Sequence, residues 1–283
     1  MDGNGATLTV RSMTDDDLDR VIGWAAAEGW NPGLDDAAPF RAVDPAGLLV
    51  GVVDGEPVAS ITVVRYPGDF AFLGFYIVRP EHRGKGYGLA TWRAGLAHGQ
   101  GCNIGLDGVV AQQDNYRRSG FGLAHRNVRY SGTAAADAPQ DPALVSLRDI
   151  AFDQIRAFDR RFFPADRRAF LRRWVESPRR GYALIRDGEM QGYGVVRACR
   201  TGAKIGPLFA VDRRSADLLF AALAAAAPAQ PLSIDLPEPN DEARRLAEDW
   251  GMAPTFETAR MYTGADPKLP LSLVYGITTF ELG

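Results

Sequence analysis

Apolar positions along this chain recur in two registers, every second residue and every third or fourth, and their order predicts alternating strands and helices. Residues 7–11 (Thr-Leu-Thr-Val-Arg) alternate as a strand. Thr14 ahead of Asp15, Asp16 and Asp17 marks a helix start, with Leu18, Val21, Ile22 and Ala25 along one face. A Gly/Pro/Asp-rich stretch over residues 28–36 then breaks the pattern as a loop. Residues 48–53 and 57–65 read as a hairpin turning at Asp54-Gly55. Residues 70–78 are nearly all apolar, a strand covered on both faces. A glycine-rich turn and a helix to about His98 follow, then a strand over 104–110, a short helix over 114–119 and a strand over 126–130.

Residues 133–143 (TAAADAPQDPA) are small, proline-rich and acidic, which predicts a linker over 134–144. Beyond it the order of elements repeats: helices over 148–176, a hairpin at Asp187-Gly188, strands over 191–199 and 203–211, a helix over 213–226, a strand over 233–236, a helix over 241–250 and a strand over 255–262. Both copies end alike, with Arg129-Tyr130-Ser131-Gly132 in one and Arg260-Met261-Tyr262-Thr263-Gly264 in the other. The pattern is an internal duplication too long for a solenoid. It divides the chain into a first domain over 1–133, a second over 145–264 and a strand-like tail over 265–283. The fold class is α/β in the α+β sense: two tandem domains, each with a mixed, mostly antiparallel sheet flanked by helices.

The composition, 46% hydrophobic and 24% charged, is that of a globular protein and excludes wholesale disorder. With a net charge of −3 there is no basic excess for nucleic acid, and no apolar run approaches the roughly 20 residues of a membrane helix. A soluble, cytoplasmic protein is expected, with its oligomeric state open. Cys102 and Cys199 lie far apart, and His82, His98 and His125 form no ligand spacing, so no metal site is expected.

The strongest chemical signal is Arg83-Gly84-Lys85-Gly86-Tyr87-Gly88, between an apolar strand and a helix. Glycines there admit close backbone approach, and N–H groups at a helix start attract anions, so the turn reads as a phosphate cradle. A Walker loop needs Ser or Thr after the lysine, where Gly86 stands, and a dinucleotide fingerprint needs different glycine spacing on a first strand.

The remaining pattern, R-x-x-G-x-G, resembles motif A of the GNAT N-acetyltransferases, and Tyr116-Arg117-Arg118-Ser119-Gly120-Phe121 resembles their Y-x-x-x-G-F. The resemblance covers about residues 6–132. It implies that Ile77, Val78 and Arg79 pair with the pantetheine of acetyl-CoA. It gives Arg83, Gly84, Lys85, Gly86, Tyr87, Gly88, Leu89 and Ala90 the pyrophosphate, and makes Tyr116 the acid that protonates the departing thiolate. Val109 stands where the family has an asparagine. The equivalent turn of the second copy (Val211-Asp212-Arg213-Arg214-Ser215-Ala216-Asp217) has no glycine and two acids, as in a copy without a cofactor site. The whole chain thus resembles tandem GNAT proteins with a degenerate C-terminal copy (the YitH-like acetyltransferases), also in residues 28–33 and 275–283.

The implied reaction is acetyl transfer to a primary amine of a small molecule or peptide by direct attack in a ternary complex. A non-catalytic acyl-CoA sensor or interaction protein is the alternative. An ordinary alkyl amine must first lose a proton, a handicap of about 4.6 kcal/mol at pH 7. Asp107, on the strand after the cofactor helix, is the first candidate base, with a loop-capping acid as the structural alternative. Glu28, Asp35 and Asp36 in the first loop are the next candidates, with solvated loop acids as the alternative; Glu28, Asp35 and the pocket wall Trp30 are candidates for acceptor binding, and Glu281 in the tail for closing the pocket from the second copy.

Overall fold

In the computed structural model, which describes residues 7–134, 136–227 and 229–283, both copies contain the same ten elements in the same order. Ala135 of the expected linker and residues 1–6 of the first domain lie outside the described residues. The first copy runs β1 (Thr9–Ser12), α1 (Asp15–Ala27), α2 (Ala37–Arg41), β2 (Leu48–Val53), β3 (Glu56–Tyr66), β4 (Phe70–Val78), α3 (Tyr87–His98), β5 (Asn103–Val109), α4 (Gln113–Arg118) and β6 (Gly122–Gly132). The second runs β7 (Leu144–Ser146), α5 (Phe152–Asp159), α6 (Arg168–Trp174), β8 (Arg180–Arg186), β9 (Glu189–Ala198), β10 (Ala203–Ala210), α7 (Arg213–Ala225), β11 (Leu232–Pro237), α8 (Asp241–Asp249) and β12 (Ala253–Tyr262). A short β13 (Val274–Gly276) follows.

Local signals account for most boundaries. Thr14 accepts from the N–H of Asp17 and Asp17 accepts from the N–H of Thr14, a reciprocal cap that starts α1. Both hairpins turn on Asp-Gly pairs with positive φ, 51° and 83° at Asp54-Gly55 and 51° and 80° at Asp187-Gly188. The helical stretch expected over 148–176 is two helices, interrupted where Arg167 folds back onto Asp159.

The two copies share one continuous sheet, in the order β1-β2-β3-β4-β5-β12-β6-β11-β10-β9-β8-β7. Each copy has given its last strand to the other. β12 lies between β5 and β6, and β6 pairs with β11. The order reads the same from either edge, as a two-fold duplication requires. Parallel pairs occur at equivalent places, β4 with β5 and β10 with β11.

A buried ion pair secures each exchange. Arg260 on β12 faces Asp107 on β5 and holds both its oxygens, at 2.8 and 2.6 Å. Arg129 on β6 grips Asp235 on β11 in the same way, at 2.6 and 2.9 Å. Asp107 and Asp235 are duplicates, and the copy without a glycine cradle keeps its pair. The expectation that Asp107 is a free base is corrected here: its oxygens serve Arg260 and Asn127, which donates to Oδ1 at 2.7 Å.

Two predictions follow from the exchange. A chain ending at Thr133 lacks β12, leaving β5 and β6 with open edges, and is expected to melt without a cooperative transition by circular dichroism. A cooperative, native-like melt would show that the first copy closes its own sheet. Arg260→Met leaves Asp107 buried without its cation, and denaturant titration is expected to show a loss of about 3–5 kcal/mol.

Candidate active site

The parallel pairing of β4 with β5 stops after four residues, Phe70 to Leu73 against Asn103 to Leu106. Beyond Leu73 the strands part. A bulge on β4, where Phe75 and Tyr76 stand opposite Ile61 of β3 and Phe75 takes a φ of 45°, turns β4 away. Gly74, Tyr76 and Val78 then alternate along the freed stretch and are only half-buried, so the strand is not covered on both faces as its apolar run suggests.

The glycine turn leads from the end of β4 into α3. Gly84 and Gly86 take φ of 75° and 83°, and Gly86 stands at the helix cap with no side chain to accept from the first-turn N–H groups. These donors are open to an anion. Gly88 matters for a different reason, since a Cβ there would meet the Tyr76 hydroxyl at 2.8 Å and Val78 Cγ2 at 2.9 Å. Lys85, Leu89 and Ala90 are exposed and Tyr87 is half-buried. This backbone fits a pyrophosphate.

Equivalent features of the second copy are filled. Asp212 caps α7 with its own carboxylate, which accepts from Ser215 N at 2.7 Å. β10 and β11 also part, after Ile205, but β13 pairs with β10 at Leu208 and Phe209 and occupies the gap.

In the first copy the gap is open. A cleft of about 370 Å³ is lined by Glu28, Trp30, Ile77, Val78, Arg83 and Phe256. A groove of about 320 Å³ runs between α3 and α4, past Leu89, Trp92, Asn115, Arg118 and Ser119. Both are bordered by Tyr76, Gln112 and Tyr116, so they meet at that tyrosine. A small inner chamber of about 30 Å³ also touches Tyr116 and ends at Phe280 and Glu281.

Tyr116 is 7% exposed and stacks on Trp92 with ring centroids 5.7 Å apart. A Cβ on Gly108 would lie 2.1 Å from its ring, so β5 is bare where the ring passes. Burial pushes its hydroxyl up to about 12, so it stays protonated at neutral pH.

The structure brings Glu28, Trp30, Ile77, Val78, Arg83, Tyr116 and Glu281 to these spaces and leaves others out. Arg83 bends back over β4, donating to the Val78 carbonyl at 2.9 Å and to Glu28 at 2.6 Å, rather than standing over the turn. Arg79 points away from the cleft: its backbone N–H is taken by Val58 and its side chain pairs with Glu81 and Glu56. Asp35 is exposed on the loop, with its carbonyl accepting from Arg179. Its neighbour Asp36 is buried instead, between Arg179 and Arg197. Sequence reasoning missed Tyr76, Gln112, Phe256 and Phe280. Tyr76 was visible as the alternate position between Gly74 and Val78, whereas Phe256 reaches the cleft only because β12 crosses into the first copy.

The loop carrying Trp30 is pinned by β6 and by the second copy. The Trp30 carbonyl accepts from Arg129 at 2.8 Å and from Lys204 at 3.3 Å, and Asn31 bonds with Thr201 in both directions. No cluster of metal-ligating side chains occurs among the described residues, and no helix among them is long and apolar enough to cross a membrane.

Known proteins agree with this architecture. Residues 13–121 match the model of the acetyltransferase (GNAT) family, and residues 155–276 that of an acetyltransferase (GNAT) domain. The chain is 32% identical over 281 residues to the holothin acyltransferase of Pseudoalteromonas sp. (strain SANK 73390), covering 98% of this chain and 95% of that protein. Among solved structures, a putative acetyltransferase from Pyrococcus horikoshii superposes with a TM-score of 0.83 at 22% identity, covering 100% of this chain and 99% of the other. A tandem GNAT protein from the clavulanic acid biosynthesis pathway gives 0.64 at 17% identity, covering 92% and 100%. Two copies of one fold, a duplicated order of elements and an acyltransferase relative matching end to end lead to one conclusion: the chain belongs to the GNAT superfamily and is a tandem-domain acyltransferase.

Proposed function

We propose that the chain transfers an acetyl group from acetyl-CoA to a primary amine of a small molecule or peptide, by direct attack in a ternary complex. The observation that carries this reading is the open gap between β4 and β5, flanked by an uncapped glycine turn and by Tyr116, and present in one copy only. Acetyl-CoA supplies an activated acyl thioester. The chain's own groups do the rest. The first-turn N–H groups of α3 and Lys85 hold the pyrophosphate, and the freed edge of β4 from Gly74 to Val78 hydrogen-bonds the pantetheine. A backbone N–H of the same edge stabilises the charge that develops on the acyl oxygen. Tyr116 sits where groove and cleft meet and gives the leaving sulfur a proton.

The acceptor enters past Trp30, Phe256 and Glu28. Those aromatic walls suit a flat or apolar amine, and the relative's name supplies the first acceptor to try, holothin. The second copy acts as a scaffold, since it pins the Trp30 loop and contributes Phe256. The location of such an enzyme is proposed as the cytoplasm, where acetyl-CoA is made and used.

Calorimetric titration of acetyl-CoA into wild type and a Gly86→Glu, Gly88→Glu variant tests the site. Micromolar binding, about −8 kcal/mol, is expected for wild type and none for the folded variant; absence of binding to folded wild type would remove the reading. A phenol near pKa 10 is already about 2 kcal/mol short of protonating an ordinary thiolate. The burial of Tyr116 widens that gap, and a thiolate left in the same dry site is raised with it. Tyr116→Phe is therefore expected to lower kcat by about ten- to several hundredfold with acetyl-CoA affinity unchanged. An unchanged kcat would remove the assignment.

A further inference from the structure

The segment after β13 has no regular structure yet is buried along its whole length from Ile277 to Leu282. It runs between the two copies and is held at each step. The Thr279 hydroxyl accepts from the N–H groups of Glu281 and Leu282, at 2.9 and 3.0 Å, and the Tyr66 hydroxyl donates to the Leu282 carbonyl at 3.0 Å. At Glu281 it presses on Gly74, the residue at which β4 leaves β5. A Cβ on Gly74 would fall 2.2 Å from the Glu281 carbonyl, so backbone lies on backbone there.

The carboxyl of Glu281 differs from every other buried acid among the described residues. Asp17, Asp36, Asp107, Asp159 and Asp235 are each gripped by at least one arginine. Glu281 is 2% exposed, and no arginine or lysine pairs with its carboxyl, which has only the Thr279 hydroxyl beside it. An unpaired buried carboxyl costs stability. A fold that pairs five acids with arginine and leaves the sixth without one, on a residue that lines a chamber shared with Tyr116, has kept that group available. The chamber, about 30 Å³, has room for about two waters or for an amine nitrogen.

We propose that Glu281 is the catalytic base that takes the proton from the acceptor amine, a role that rests on the acetyl-CoA reading of the cleft. The acceptor nitrogen forms a bond to the acyl carbon while its proton passes to a Glu281 oxygen, directly or through a water in the chamber. The carbon–sulfur bond breaks, and the electron pair left on sulfur takes the Tyr116 proton. Glu281 then returns its proton to solvent and Tyr116 regains one, so the products are the amide and free CoA thiol. The acid thus stands on the first copy and the base on the tail that follows the second, and both residues line one chamber.

The groups facing Glu281 set its charge. Burial raises its carboxyl above the ordinary glutamate value; Lys204 on β10, Arg197 on β9 and the Thr279 hydroxyl pull it down, and Asp36 ahead of α2 pushes it up. Arg129 on β6 feels its charge, and Asp107 and Tyr116 border the same chamber. Since the ionised form accepts the proton, the rate is expected to rise with pH through this elevated value. The sign for stability is opposite. A carboxyl raised in the folded state favours folding below the ordinary glutamate value, and that contribution is lost as pH rises through the folded value. Glu281→Gln is therefore expected to melt no lower than wild type at neutral pH.

The test has two arms. Infrared titration of the protein without co-substrate is expected to show a carboxylic-acid band in wild type that is absent from Glu281→Gln and titrates above the ordinary glutamate range. With acetyl-CoA and benzylamine as probes, Glu281→Gln is expected to release CoA thiol about a hundredfold or more slowly. Acetyl-CoA affinity should be unchanged, and added formate should restore turnover to Glu281→Ala but not to Tyr116→Phe. Absence of the elevated band overturns the proposal whether or not benzylamine is acetylated. So does a full rate in Glu281→Gln, or loss of acetyl-CoA binding in that variant alone, which marks a structural role. Failure of wild type itself to bind acetyl-CoA removes the reading of the cleft, and the base assignment with it.

Discussion

The structure depends on two arginines that cross from one copy to the other. Arg260 meets Asp107, and Arg129 meets Asp235, each as a two-point contact buried in the middle of the sheet. Such a pair gains little over an apolar one but is severe on errors of register, because a misplaced strand leaves a charge buried alone. The exchange of β6 and β12 is thereby fixed to the residue. Everything distinctive about the site follows from that register: Phe256 in the cleft wall, the bare stretch of β5 at Gly108 and the course of the tail to Glu281.

The same constraint gives the degenerate copy its work. Asp212 and β13 occupy the places where the first copy keeps an open helix start and an open gap. β10 and β9 carry Lys204 and Arg197 inward, where they hold the Trp30 carbonyl and Asp36. Duplication has thus turned one copy into a wall for the other.

Much of this was legible from residues alone, because the signals were local. The glycine turn, the Tyr-x-x-x-Gly-Phe pattern, the Thr14 cap and the Asp-Gly hairpins each depend on neighbours within a few positions. The duplication was legible through its repeated order of elements. The strand exchange was not, since β12 has the same composition whether it closes its own copy or the other. Asp107 reads as a free acid until Arg260 arrives on the exchanged strand from far along the chain. Asp35 and Asp36 are likewise indistinguishable until Arg179 and Arg197, from the second copy, select the second. Glu281 was named for its chemistry, but its burial beside Gly74 depends on a tail whose path no periodicity encodes.

The exchange also governs the order in which the molecule can be made. The partners Asp107 and Arg260 are 153 residues apart, and Arg129 and Asp235 are 106 apart. Strand pairings of such range form late and slowly. During synthesis β5 and β6 leave the ribosome with edges that nothing then available can cover, and they wait while an entire second copy is translated. The nascent chain therefore passes through a long interval with its central strands unpaired and the site unformed. Its yield in a cell is set during that interval, by how well those waiting edges are shielded from other chains.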